Sequence, residues 1–107
     1  MEWLTAIRKS IDYIETHLKE DITVQDIANQ VFLSSLHFQR GFLIVTGYSV
    51  SEYIRNRRLY LSAIELKQTS KKIIDIAYDY GYETPESFSK AFTRFHGTTP
   101  IKIKQGG

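Results

Sequence analysis

The stretch TVQDIANQVFLSSLHFQRGFLIVTG, residues 23–47, decides the fold, because much of it returns as KIIDIAYDYGYETPESFSKAFTRFHG at residues 72–97. Asp26-Ile27-Ala28, Phe38, Phe42 and Gly47 recur as Asp75-Ile76-Ala77, Phe88, Phe92 and Gly97. The offset is 49 residues early in the unit and 50 later, so one extra residue sits in the second copy's turn, around Gly81 to Thr84. Each copy reads as a short helix, a tight turn and a longer helix, the pattern of a helix-turn-helix. Such a unit lays its second helix in a DNA major groove, and two copies predict two adjacent groove contacts. Sequence-specific binding of double-stranded DNA is therefore the expected function.

Outward from the repeat, the rest of the chain reads as helix. Leu4, Ile7, Ile11, Ile14 and Leu18 step by three and four, an amphipathic stripe that Glu20-Asp21 is expected to end. Thr23 and Asp26 have capping-box spacing for a short helix from Val24 to about Val31. Ser34 is a natural N-cap for a helix running to Gly47, a good stop. Between Val50 and Gln68 there is neither glycine nor proline, which predicts one long connecting helix with Ile54, Leu61 and Ile64 on one face. The second short helix, from Lys71 to Tyr80, starts less well, because Lys72 stands where Thr23 stood and offers no cap oxygen. Gly81 closes it. Thr84 and Pro85 open the last long helix with a hydroxyl cap and a proline at N1, and it runs to about His96 before Gly97. No segment alternates with period two, so no strand is expected. The expected fold is all-α and homeodomain-like, a single domain over 1–107 with about seven helices, or six if the tail from Ile101 is irregular. Within it, helix-turn-helix units at about 23–47 and 72–97 are joined by a linker helix at about 50–68.

Composition fits this frame. A chain of 107 residues buries one modest core. Cysteine is absent, which excludes disulfides and thiolate metal sites. No apolar run reaches the ~18 residues of a membrane span, and no signal-peptide pattern opens the chain, so a cytoplasmic protein, nucleoid-associated when bound, is expected. Net charge is only +2, but residues 1–50 carry four Lys/Arg against six Asp/Glu, and residues 51–107 carry ten against six. Local basic patches rather than the whole domain must attract phosphate.

In each long helix Phe38, Phe42 and Val45 match Phe88, Phe92 and Phe95 in spacing, a core stripe rather than a platform for stacked bases. The opposite faces carry Ser35, Leu36, Gln39, Arg40 and Leu43 in the first copy, and Pro85, Glu86, Ser89, Lys90 and Thr93, with Ser87 alongside, in the second. Arginine bonds guanine bidentately, glutamine bonds adenine, and serine or threonine bonds base edges or phosphate. Such a face is ordinarily a solvated one; the duplicated scaffold is what makes Gln39, Arg40 and Lys90 candidate readers. Two readings of Glu86 stand, exclusion of wrong sequences or a favourable charge in a helix's first turn. Gly41, costly inside a helix, allows close approach either of a neighbouring helix or of the DNA backbone. Among Arg55, Arg57 and Arg58, one is expected to pair with an internal carboxylate and another to meet phosphate.

Taken together, Asp26-Ile27-Ala28, SSLHFQRGFLIVTG at 34–47, EYIRNRRL at 52–59, Asp75-Ile76-Ala77, Tyr80-Gly81-Tyr82, Phe88 to Phe92 and Gly97-Thr98-Thr99-Pro100 resemble the DNA-binding domain of the AraC/XylS family of bacterial transcription regulators, from about Ile7 to Lys104. The resemblance implies recognition helices in successive major grooves, about 34 Å apart on one side of the duplex, with monomer binding to two short boxes and bending of the DNA. It implies Leu36, Gln39 and Arg40 as base readers in the first unit and Glu86, Ser87 and Lys90 in the second. Two departures stand out. Lys90 replaces a common arginine, which weakens guanine reading, and Leu36 replaces a larger or polar side chain, which suggests a thymine methyl as its partner.

The complete expectation is base reading by Ser35, Leu36, Gln39, Arg40, Glu86, Ser87 and Lys90, and phosphate contact by Ser34, Arg57, Thr84, Ser89, Thr93 and Arg94. The family also implies contact with RNA polymerase. The start Met1-Glu2-Trp3-Leu4 and the end Gly106-Gly107 suggest the N-terminal part of a larger regulator with a C-terminal effector-binding domain, against a complete small regulator. No catalysis, metal or cofactor is expected, since His17, His37 and His96 lack ligand spacing and no phosphate loop or nucleophile motif occurs. The competing class is a helical protein-docking module without DNA binding.

Overall fold

A computed structural model describes residues 2–106. Met1 and Gly107, which bear on the expectation of a larger regulator, lie outside the described residues. The helices are α1 (Trp3–Thr16), α2 (Val24–Gln30), α3 (Ser35–Thr46), α4 (Val50–Gln68), α5 (Ile73–Asp79), α6 (Pro85–His96) and α7 (Pro100–Lys104), with no strand among the described residues. The chain divides within α4 into two compact units, Met1–Arg55 and Asn56–Gly107.

In the first unit α1 packs on α2 and α3, and α2 on α3. Ile7, Ile14, Leu18, Ile27, Ala28, Phe38 and Phe42 are buried, joined by Val50 and Ile54 from the start of α4. The tilted rings of Phe38 and Phe42 lie 5.6 Å apart, and Tyr53 meets Phe42 edge-on at 5.6 Å. Burying each phenylalanine stabilises the unit by roughly 1.5–3 kcal/mol. In the second unit Leu59 and Leu66 of α4 close on Ile76, Ala77, Tyr80, Phe88 and Phe92. Burial pushes the Tyr80 phenol well above its ordinary pKa, helped by its hydrogen bond to Glu65, so it remains a donor.

The repeat is visible in hydrogen bonds. Leu33 N–H donates to the Ala28 carbonyl at 3.1 Å, and Tyr82 N–H to that of Ala77 at 3.0 Å. Ser34 and Thr84 then cap α3 and α6, accepting from the N–H of His37 and Ser87. Because Leu33 is followed directly by its cap while Tyr82 is not, the inserted residue is Glu83. Gly47 and Gly97 end the two long helices in the left-handed conformation, φ +81° and +74°.

Several expectations need correction. α1 ends at Thr16, before Glu20-Asp21, because the His17 N–H turns back to the Ile14 carbonyl; the His17 ring also lies against Tyr13, with Nδ1 2.6 Å from its carbonyl oxygen. Leu4 is exposed despite its place in the stripe. Val45 and Phe95 are not core either. Each is about 40% exposed, whereas the two phenylalanines before it are fully buried. α4 buries Val50 and Ile54 in the first unit and Leu59, Ser62 and Leu66 in the second, while Leu61 and Ile64 are only half-buried. Serine at 62 satisfies itself by donating to the Leu59 carbonyl at 2.7 Å. The tail is helical, opened by Thr99 and Pro100.

Candidate nucleic-acid interface

Recognition requires a helix whose outer face is presented stiffly. α3 meets this through local chemistry at both ends, the Ser34 cap and the left-handed Gly47. Below it, α2 is fixed by a reciprocal capping box: Thr23 Oγ1 accepts from Asp26 N–H at 3.1 Å, and Asp26 accepts from Thr23 N–H at 3.0 Å. α4 begins with a second box that the sequence reading passed over, Ser49 with Glu52, both bonds 3.1 Å. The bonds from Thr23 N–H and hydroxyl hold the Asp26 carboxyl below its usual pKa, and those from Ser49 do the same for Glu52, with Arg55 adding to the latter. α5 has no such device, since Lys72 makes no side-chain cap.

On the outer face of α3, Leu36 is 58% exposed, and Gln39 and Arg40 are exposed with no hydrogen bond or ion pair among the described residues. Ser35 is half-buried, and its hydroxyl donates to Gln25 Oε1 at 2.6 Å. Ser34 is exposed but its oxygen is engaged as the cap. On α6, Glu86 and Lys90 are exposed and similarly unengaged, Arg94 is exposed, and Ser89 and Thr93 are half-buried. Ser87 donates its hydroxyl proton to the Thr84 carbonyl at 2.9 Å, while Thr84 Oγ1 caps the helix. Arg57 is half-buried with its guanidinium 5.2 Å from the centre of the Tyr60 ring. The expected readers therefore gather on one outer face in each unit, while Arg57 lies on α4 in a cation–π contact.

Gly41 is settled. A Cβ there would overlap the Trp3 indole, so the glycine admits a neighbouring helix's side chain, not the DNA backbone. Beside it Trp3, His37, Arg40 and Ile44 line an open cleft of about 300 Å³. His96 is structural: its Nε2 lies 2.8 Å from the Leu59 carbonyl oxygen, and its ring is tilted against Phe92. The sequence reading missed Trp3, Gln25, Asn29 and Phe32. Only Gln25 and Asn29 left a signal, two amides four residues apart on a short capped helix. Among the described residues no cluster of three or more metal-ligating side chains exists, and no helix is long and apolar enough to cross a membrane.

A family model described as a helix-turn-helix domain matches residues 13–106. The chain is 38% identical to the regulatory protein SoxS of Salmonella typhimurium, over 88% of this chain and 88% of SoxS. It belongs to the AraC-type helix-turn-helix family. That family comprises bacterial DNA-binding transcription regulators, not enzymes. The uncharacterized HTH-type transcriptional regulator YbfP of Bacillus subtilis is 41% identical over 94% of this chain, which spans only 34% of YbfP. Among solved structures, an AraC-type transcriptional regulator from Chromobacterium violaceum superposes with a TM-score of 0.90 at 25% identity, covering 95% of this chain and 91% of the other. The AraC-type assignment agrees with the expected fold class and the regulatory role.

Proposed function

We propose that this AraC-type chain binds double-stranded DNA as a monomer, with α3 and α6 in successive major grooves and two short boxes about one helical turn apart as its target. The observation that carries this is the repeated presentation of unengaged polar groups, Gln39 and Arg40 on α3 and Glu86 and Lys90 on α6, each on a capped helix held by two buried phenylalanines. Ser35, Leu36, Gln39 and Arg40 read the first box; Glu86, Ser87 and Lys90 read the second. Ser34, Thr84, Ser89, Thr93, Arg94 and Arg57 are assigned to phosphates.

The larger protein is proposed to be an effector-responsive regulator with this domain at its N-terminus, acting on nucleoid DNA in the cytoplasm and contacting RNA polymerase. The threefold greater length of YbfP supports a longer protein, whereas SoxS, whose length this domain nearly fills, supports a small regulator. Binding-site selection from a random duplex library near physiological salt tests the DNA reading. Two boxes about one turn apart are expected. A single box reduces the second unit to a backbone grip. Absence of any enrichment, with weak salt-independent binding, overturns the proposal in favour of a protein-docking module.

A further inference from the structure

Besides the cap of its short helix, the first unit has a polar contact between its short and long helices that the second lacks. In the first, Ser35 at the start of α3 donates its hydroxyl proton to Gln25 Oε1 at 2.6 Å, and Gln25 Nε2 donates to Asn29 Oδ1 at 2.7 Å. At the equivalent positions the second unit has Ile74, Tyr78 and Pro85, none of which can build this chain of bonds. The bond to Asn29 turns the Gln25 amide so that its oxygen faces Ser35. The consequence is chemical. A hydroxyl has one proton, and once that is committed only its lone pairs remain, so Ser35 accepts and does not donate. Phosphate oxygens also only accept, and no hydrogen bond forms between two acceptors. In the major groove, guanine N7 and O6 and thymine O4 are acceptors, whereas adenine N6 and cytosine N4 carry amino protons.

We propose that Gln25 is a specificity-determining positioning residue, which by holding the Ser35 proton makes Ser35 select adenine or cytosine on the contacted strand. This rests on α3 reading DNA as proposed above, and it takes Ser35 from a general polar contact to an amino-group sensor. Ser87 in the second unit has its proton committed to the Thr84 backbone instead, a lock without a side-chain partner.

The test repeats site selection with the wild type and four variants. Gln25→Met removes the acceptor and lets the hydroxyl rotate, so discrimination against guanine and thymine at one step is expected to fall about fivefold, the effect of one hydrogen bond, with the other steps retained. Ser35→Ala is expected to lose the same preference, and the double variant to lose no more than either single one. Gln25→Glu keeps an acceptor and is expected to keep the preference, whatever its added charge does to affinity. An even loss across all steps in Gln25→Met, multiplicative effects in the double variant, or loss of the preference in Gln25→Glu would each overturn the proposal while leaving DNA reading intact. A wild type that selects no site overturns the DNA reading, and this proposal with it.

Discussion

At the scale of single residues, two positions in the first unit depart from what their neighbours would dictate. Phe32 holds φ +59° and is 90% exposed, at the place where the second unit has Gly81 at φ +86°. A left-handed backbone costs a side-chain-bearing residue about 1–2 kcal/mol, and this ring recovers little of that by burial. Phe32→Gly is therefore expected to raise stability by up to about 1 kcal/mol, the strain relieved less the roughly 0.5–1 kcal/mol entropic cost of glycine. Urea unfolding of the two proteins checks this, and a loss of stability would show that the ring's contacts outweigh the strain. Gly41 poses the opposite case, a glycine required by the Trp3 indole lying on it. Because the clash is with the far end of one side chain, Gly41→Ala is expected to displace the indole rather than unfold α3. Trp3 is the single tryptophan of the chain, so its fluorescence reports the outcome directly. An emission shift to the red at nearly unchanged unfolding midpoint is expected, and an unshifted spectrum would mean that the backbone moved instead. Gly41 was legible as a point of close approach but its partner was not, since nothing near residue 41 in sequence names residue 3 as its neighbour; Phe32 left no signal at all.

At the scale of elements, the sequence was most readable where structure is local. Thr23 with Asp26, Ser34, Thr84-Pro85, Gly47 and Gly97 all act within about one helical turn, and each fixes the boundary expected of it. Failures occurred where the partner is distant or the helix is shared. α4 gives Val50 to Arg55 to one unit and the remainder to the other, so no single stripe describes it, and a stripe through Leu61 and Ile64 misses Leu59 and Leu66. Val45 and Phe95 continue a periodic pattern past the point where their neighbours end. The contrast between caps yields a quantitative expectation. Lys72 already has extended backbone, φ −70° and ψ 147°, and Asp75 stands at N3. Lys72→Thr should complete a box like that of α2 and stabilise the second unit by about 0.5–1 kcal/mol, measured without DNA by urea unfolding; no gain would mean that the α5 terminus is already satisfied. The existing boxes also set a pH dependence. Asp26 and Glu52 have folded pKa values lowered chiefly by backbone N–H donors. Their contribution is thus fully present above the ordinary carboxylate pKa of about 4 and disappears as pH falls through the lowered folded values. Unfolding midpoints should decline on acidification below about pH 4, and Asp26→Asn should flatten part of that decline.

At the scale of the whole molecule, charge and reading chemistry are distributed unequally. Residues 1–50 carry a net −2 yet hold Gln39 and Arg40, whereas residues 51–107 carry +4 and hold Lys90 and Arg94. Affinity for phosphate releases counterions and falls with salt, each phosphate contact contributing about 0.9 to the logarithmic slope. Base contacts add discrimination without adding to that slope in proportion. Arg94, in the last turn of α6, is assigned to phosphate, so Arg94→Ala should weaken binding to all sequences alike and reduce the slope by about 1. Arg40→Ala should instead cost roughly 1–3 kcal/mol on the best site and relax the choice of base at one step. Titrating both variants against the best site and a one-step mismatch, at several salt concentrations, separates the two roles in one data set. If Arg40→Ala weakens both duplexes equally while Arg94→Ala narrows the gap between them, the assignments exchange, and base reading in the second unit moves from the first turns of α6 to its C-terminal end.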